Sequence, residues 1–104
     1  MDRTSKIKQM LEQSPKDCFL WHALGLEYQK LQDMLQALAC FERVLTINKE
    51  YLGTYYHLGK TLEMAGRTEQ AIQAYQDGIT IAVKLKDNHA RNELQMALDD
   101  LTDF

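Results

Sequence analysis

The sequence predicts an all-α protein: an α-α superhelix of about six helices, two helical hairpins flanked by a capping helix at each end. Three observations predict it. Turn-makers are scarce, with five glycines and one proline in 104 residues, whereas a β-sandwich or barrel needs punctuation every ~8–12 residues. Apolar residues recur at steps of three and four, the spacing of one helical face. The chain also repeats itself. A shift of 34 residues lays Trp21 on Tyr55, Leu24 on Leu58, Gly25 on Gly59, Ala37 on Ala71 and Phe41 on Tyr75. Aromatic meets aromatic, glycine meets glycine and alanine meets alanine in one register.

Residues 1–17 carry the stripe Ile7, Met10 and Leu11, with Lys6, Lys8, Gln9 and Glu12 on the opposite face, and end at Pro15. A single stripe with a polar back suits a capping helix. Residues 18–51 form the first hairpin. Leu20, Trp21, Leu24 and Tyr28 mark its first helix, Gln32-Asp33 its turn, and Ala37, Leu38, Phe41, Val44 and Leu45 its second helix. Residues 52–85 repeat the plan, with Gly66 placed to end one helix and Thr68 to N-cap the next. Residues 86–104 show the stripe Ala90, Leu94, Ala97, Leu98 and Leu101, backed by Arg91, Asn92, Gln95 and Asp99, which predicts the closing cap. The whole, 1–104, reads as one complete domain.

Glycine within a helix costs about 1 kcal/mol relative to alanine. Its recurrence at Gly25 and Gly59 therefore predicts close approach of the two helices of each hairpin, helped by Ala37 and Ala71. Trp21, Tyr28, Phe41 and Tyr75 are expected to fill the space between successive hairpins. Gly78 takes a small packing slot, and Gly53 has no evident packing role.

The series Trp21-x-x-Leu24-Gly25-x-x-Tyr28 followed by Ala37-x-x-x-Phe41 resembles the signature of the tetratricopeptide repeat family. Tyr55-x-x-Leu58-Gly59-x-x-Leu62 followed by Ala71-x-x-x-Tyr75 is similar. The family's closing proline is matched by Pro15 and replaced by Lys49 and Val83 in the two full units. Val44 and Gly78 stand where alanine is usual. The resemblance implies a TPR-like solenoid whose first helices line a concave, partner-binding surface.

Charge and composition exclude several functions. Twelve basic and fifteen acidic residues give a net charge of -3, without the clustered basic residues of a nucleic-acid binder. No apolar run approaches the ~18 residues of a membrane span, and Met1 to Gln9 hold no apolar secretion segment. Cys18 and Cys40 form no CxxC pattern and read as reduced thiols in a cytoplasmic protein. Gly59-Lys60-Thr61 imitates the end of a phosphate-binding loop, but Thr54 stands where the motif's first glycine belongs and the segment is helical. His22, His57 and His89 recur once per unit without converging spacing; His89 and Glu93 offer two ligands and no third. The expectation is no catalytic residue, no metal and no cofactor: the protein is not an enzyme.

The groove expected from the resemblance is lined by Phe19, His22, Leu26 and Gln29 in the first unit and by Tyr56, His57, Lys60 and Glu63 in the second. Asp87, Arg91 and Leu94 follow from the last helix. Phe19 and Leu26 either line this groove or pack under the N-terminal cap. Aromatic anchors flanked by a few charges suit a peptide or partner protein. The two-carboxylate clamp of chaperone-binding relatives does not carry over: its positions hold His22, Leu26, His57, Asp87 and Arg91, and only Arg91 agrees. The leading reading is a small monomeric adaptor that binds a protein or peptide. The alternative is a weakly self-associating homo-oligomer that uses its caps or the Leu101 to Phe104 tail.

Overall fold

The computed structural model describes residues 2–103, which form six α-helices and no strand. They are α1 (Arg3–Gln13), α2 (Cys18–Lys30), α3 (Met34–Ile47), α4 (Gly53–Met64), α5 (Thr68–Leu85) and α6 (Asn88–Thr102). The helices gather into two compact units, Met1–Tyr51 and Leu52–Phe104.

In the first unit, aspartates start every helix. Asp2, Asp17 and Asp33 each sit at an N-cap and accept the backbone N–H three residues on, at 2.8, 3.1 and 3.3 Å. Each such bond satisfies an otherwise unpaired donor of the first turn. α2 and α3 form the hairpin. Their turn bends at Gln32, whose φ of 61° lies in the left-handed region, before Asp33 restarts the helix. The hairpin closes on Gly25: a Cβ there would lie 2.5 Å from the Phe41 ring, so α2 has no room for any side chain. Ala37, Phe41 and Val44 are fully buried on α3. α1 packs on α2 through Ile7 and Leu11, and Arg3 pairs with Glu27 at 2.7 Å. The Trp21 indole N–H donates to the Pro15 carbonyl at 2.8 Å and so pins the α1–α2 connection to α2.

The second unit follows the same plan with different details. Gly59 lies directly under the Tyr75 ring. Gly66, at φ 75°, ends α4 in the left-handed conformation that glycine adopts at no steric cost. α5 is longer than α3 and carries a second helix on its flank, α6, held through buried Leu94 and Ala97. Gly78 makes that junction possible, since a Cβ there would come within 2.7 Å of the Tyr55 Cβ and 2.9 Å of Leu94. Asp87 caps α6 by accepting the Ala90 N–H at 2.9 Å.

Two local expectations change and a third, the absence of a packing role at Gly53, holds. Thr68 is the first residue of α5, and the N-cap is Arg67, whose side chain makes no capping bond. A threonine one residue late cannot reach the donors that a cap serves. Phe41 and Tyr75 each stack on the glycine of their own hairpin; glycine and ring are the two halves of one close contact. Gly53 opens α4 with open space around the missing Cβ.

Candidate functional site

The second unit carries a groove between α4 and α6, helices that share α5 as a support and touch each other only lightly. On its α4 wall stand Tyr56, His57 and Lys60, half-buried, with Lys60 one turn beyond the adjacent Tyr56 and His57. On its α6 wall stand Glu93, Met96 and Asp100, all exposed. Two adjoining depressions run along it, of about 240 Å³ and 290 Å³, and Tyr56 and Glu93 border both. The α4 wall is held in place from below. The Lys60 ammonium lies 5.5 Å from the Tyr56 ring centroid and 3.6 Å from a Glu63 carboxylate oxygen. The buried Tyr75 hydroxyl donates to the same carboxylate. Burial, then this carboxylate, raises the Tyr75 pKa, so the hydroxyl remains a donor. The Tyr56 ring meets His57 edge-on at 5.6 Å. Burial lowers the His57 pKa, opposed by the charge of Glu93, which favours a neutral imidazole.

Of the residues expected to line a groove, the fold therefore brings Tyr56, His57 and Lys60 together, with Leu94 of α6 bordering the same trough. Arg91 is exposed on α6 and borders neither depression. Asp87 is occupied as the α6 cap. In the first unit, Phe19 is 65% exposed at the start of α2. Leu26 is half-buried. His22 is half-buried too, its ring tilted against Phe41 and Tyr51 at 5.7 and 5.8 Å. Glu93, Met96 and Asp100 escaped sequence reasoning. Their signal was present, since positions 93, 96 and 100 share a helical face beside the apolar stripe.

The first unit holds a second concavity, a cleft of about 510 Å³. α1 and α3 both pack on α2 and make no contact with each other, leaving Trp21, Leu24 and Tyr28 of α2 as the floor. Lys8, expected on the solvent face of the N-terminal cap, instead lies over the Tyr28 ring, 5.6 Å from its centroid. Its pKa is raised, first by its interaction with Tyr28. Arg43 lies 5.8 Å over the Trp21 ring. Cys40 also borders this cleft, and burial pushes its thiol up to about 11. Burial raises the Cys18 thiol as well, so neither offers the thiolate that nucleophilic chemistry needs. Among the described residues, no three His, Cys, Asp or Glu side chains gather as metal ligands would. No described helix is long and apolar enough to cross a membrane.

Comparison with known proteins agrees with this architecture. Residues 17–82 match the family model of the tetratricopeptide repeat. A tetratricopeptide repeat domain protein from Salinibacter ruber, solved by NMR, is 39% identical with a TM-score of 0.79, over 84% of this chain and 88% of that one. The solution structure of a Bordetella parapertussis protein superposes with a TM-score of 0.85 at 28% identity, over 98% of this chain and 89% of that one. Protein DIA2 of Eremothecium gossypii is 33% identical over 72 residues, 69% of this chain. This chain spans only 10% of that protein's length.

Proposed function

We propose that this chain, which belongs to the tetratricopeptide repeat family, is a small non-enzymatic adaptor of the cytoplasm that binds a peptide or partner protein in the α4–α6 groove. The observation that carries this reading is the convergence of Tyr56, His57 and Lys60 with Glu93, Met96 and Asp100 around one open trough. An aromatic ring and a flexible thioether offer apolar contact, while Lys60 and the two carboxylates set the orientation and register of a bound chain. Family membership supports it, because such folds present helical surfaces to other proteins. The α4 wall is also preorganised for binding. Lys60 and Glu63 are already paired beneath Tyr56, so a ligand meets a surface whose side chains lose little freedom on binding.

The test is capture of partners from native lysate by the wild type and by a Tyr56→Ala/Lys60→Glu variant, each first shown to have the same Tm. We expect proteins held by the wild type to be lost from the variant. Retention of the same set at the same level would place binding elsewhere on the chain.

A further inference from the structure

We propose that the cleft between α1 and α3 receives the α6 ridge of a second copy of this chain, with Lys8 and Arg43 engaging Glu93 and Asp100. The cleft is an apolar trough with a cation at each end. Lys8 stands over Tyr28 and Arg43 over Trp21. Trp21 and Tyr28 are two turns apart on α2, about 10.5 Å at 1.5 Å per residue. Among the described residues, neither cation has a carboxylate within ion-pair distance. Glu12 is the acidic side chain that borders the trough itself, and Asp2, the α1 cap, acts on Lys8 from outside it; each cation therefore stays open to a carboxylate laid in the trough.

The α6 ridge has the complementary charge pattern, its carboxylates spaced along α6 as the two covered rings are along α2. Glu93 and Asp100 are also two turns apart, about 10.5 Å, and Met96 lies between them on the same face. Met96 is 68% exposed. Glu93 is met by the exposed His89 at 3.8 Å, and Asp100 has no ion-pair partner among the described residues. Lys60 across the groove is paired with Glu63, which leaves the ridge acidic. A helix laid along the trough would set its two carboxylates against the two cations and lower Met96 onto Trp21, Leu24 and Tyr28. A flexible thioether suits an irregular aromatic floor, and the low Ala39 on the α3 wall leaves space for it. Burying an exposed methionine supplies the apolar gain, and the charges set direction and register.

Cleft and ridge are different surfaces, so the contact is heterologous: each copy offers both, and copies join head to tail. The ion pairs remain near solvent, so the association is weak and weakens further with added salt.

Sedimentation equilibrium from micromolar to millimolar chain, at low and high salt, tests this. We expect the wild-type mass to rise with concentration at low salt and to fall back with salt. Lys8→Glu/Arg43→Glu and Glu93→Lys/Asp100→Lys should each remain monomeric, while their equimolar mixture associates, because one variant's acidic cleft then faces the other's basic ridge. Glu12→Gln should tighten the wild-type contact about two- to fivefold. All five positions are exposed, so unchanged helical circular dichroism is expected of every variant. If a double variant loses helicity, Met96→Ala, a single exposed truncation, should weaken association in its place. A monomeric wild type at millimolar chain would overturn the proposal and leave the cleft to an acidic helix of another protein. Wild-type-like association of either double variant, or a monomeric mixture, would overturn it too.

Discussion

The two hairpins answer the same packing problem with different chemistry. Both place a glycine on the first helix beneath an aromatic ring on the second. In α2–α3 that ring is Phe41, which lies tilted beside His22 and carries no hydroxyl. In α4–α5 it is Tyr75, whose hydroxyl donates to Glu63. The hydrogen bond opposes sliding of the ring, and its acceptor Glu63 also pairs with Lys60 at the groove. One added oxygen thus links the core of the second hairpin to its surface, a link that a phenylalanine cannot make.

That difference is best broken at the glycines. Gly25→Ala and Gly59→Ala both insert a Cβ into a ring, and overpacking of this kind costs about 1–3 kcal/mol, partly offset by ~1 kcal/mol of helix propensity. The cost should be larger at Gly59, where the ring is tethered. Adding Tyr75→Phe to Gly59→Ala should narrow the gap to Gly25→Ala. Urea unfolding of the three variants measures this, and equal costs at the two glycines would remove the tether from the explanation.

A smaller effect separates the second helices of the hairpins. α3 starts at Asp33, which caps it, and α5 starts at Arg67, which does not. The two residues have nearly the same backbone conformation, φ -92° and ψ 81° against φ -100° and ψ 66°. Arg67→Asp should therefore create the missing bond and stabilise the chain by about 0.5–1 kcal/mol. Thermal melts that show no gain would mean that the Arg67 guanidinium supports the turn in another way.

The smallest expected effect concerns pH. Burial holds His57 below its ordinary pKa of 6.5, so below that pH the unfolded chain takes up a proton that the folded chain resists. Its contribution to stability is complete above pH 6.5 and declines as the pH falls through that value. Among its surroundings, the charge of Glu93 partly counters the shift. His57→Gln should flatten the acid limb of Tm against pH, whereas an unchanged limb would assign the slope to carboxylates.

Much of this was legible in the sequence. The 34-residue register located the hairpins, the paired glycines announced close helix contacts, and Gly66 marked a helix end. These are local signals, set by backbone conformation and side-chain size at single positions. The capping aspartates were not read from the sequence: the one cap it named was Thr68, and Asp87, expected in the groove, caps α6 instead. Less legible was which bulky ring meets which small residue. Phe41 and Tyr75 could have faced outward to a neighbouring hairpin, and only the crossing of the helices turns them onto Gly25 and Gly59.

The same division holds for the candidate surfaces. The repeat resemblance and the helical register together pointed to the α4 face beside its packing stripe, hence Tyr56, His57 and Lys60. On the opposite wall they pointed to Leu94, which borders the trough, and not to the face of Glu93, Met96 and Asp100. Glu93, Met96 and Asp100 border the groove because Gly78 lets α6 settle on α5, a contact between residues far apart in the chain. Lys8 and Arg43 likewise lie over aromatic rings because α1 and α3 both pack on α2 and leave its floor open between them. Order along the chain therefore determines the helices, their caps and their small-residue contacts. Packing among the helices decides which charges share a cleft, since that depends on distances that no sequence spacing encodes.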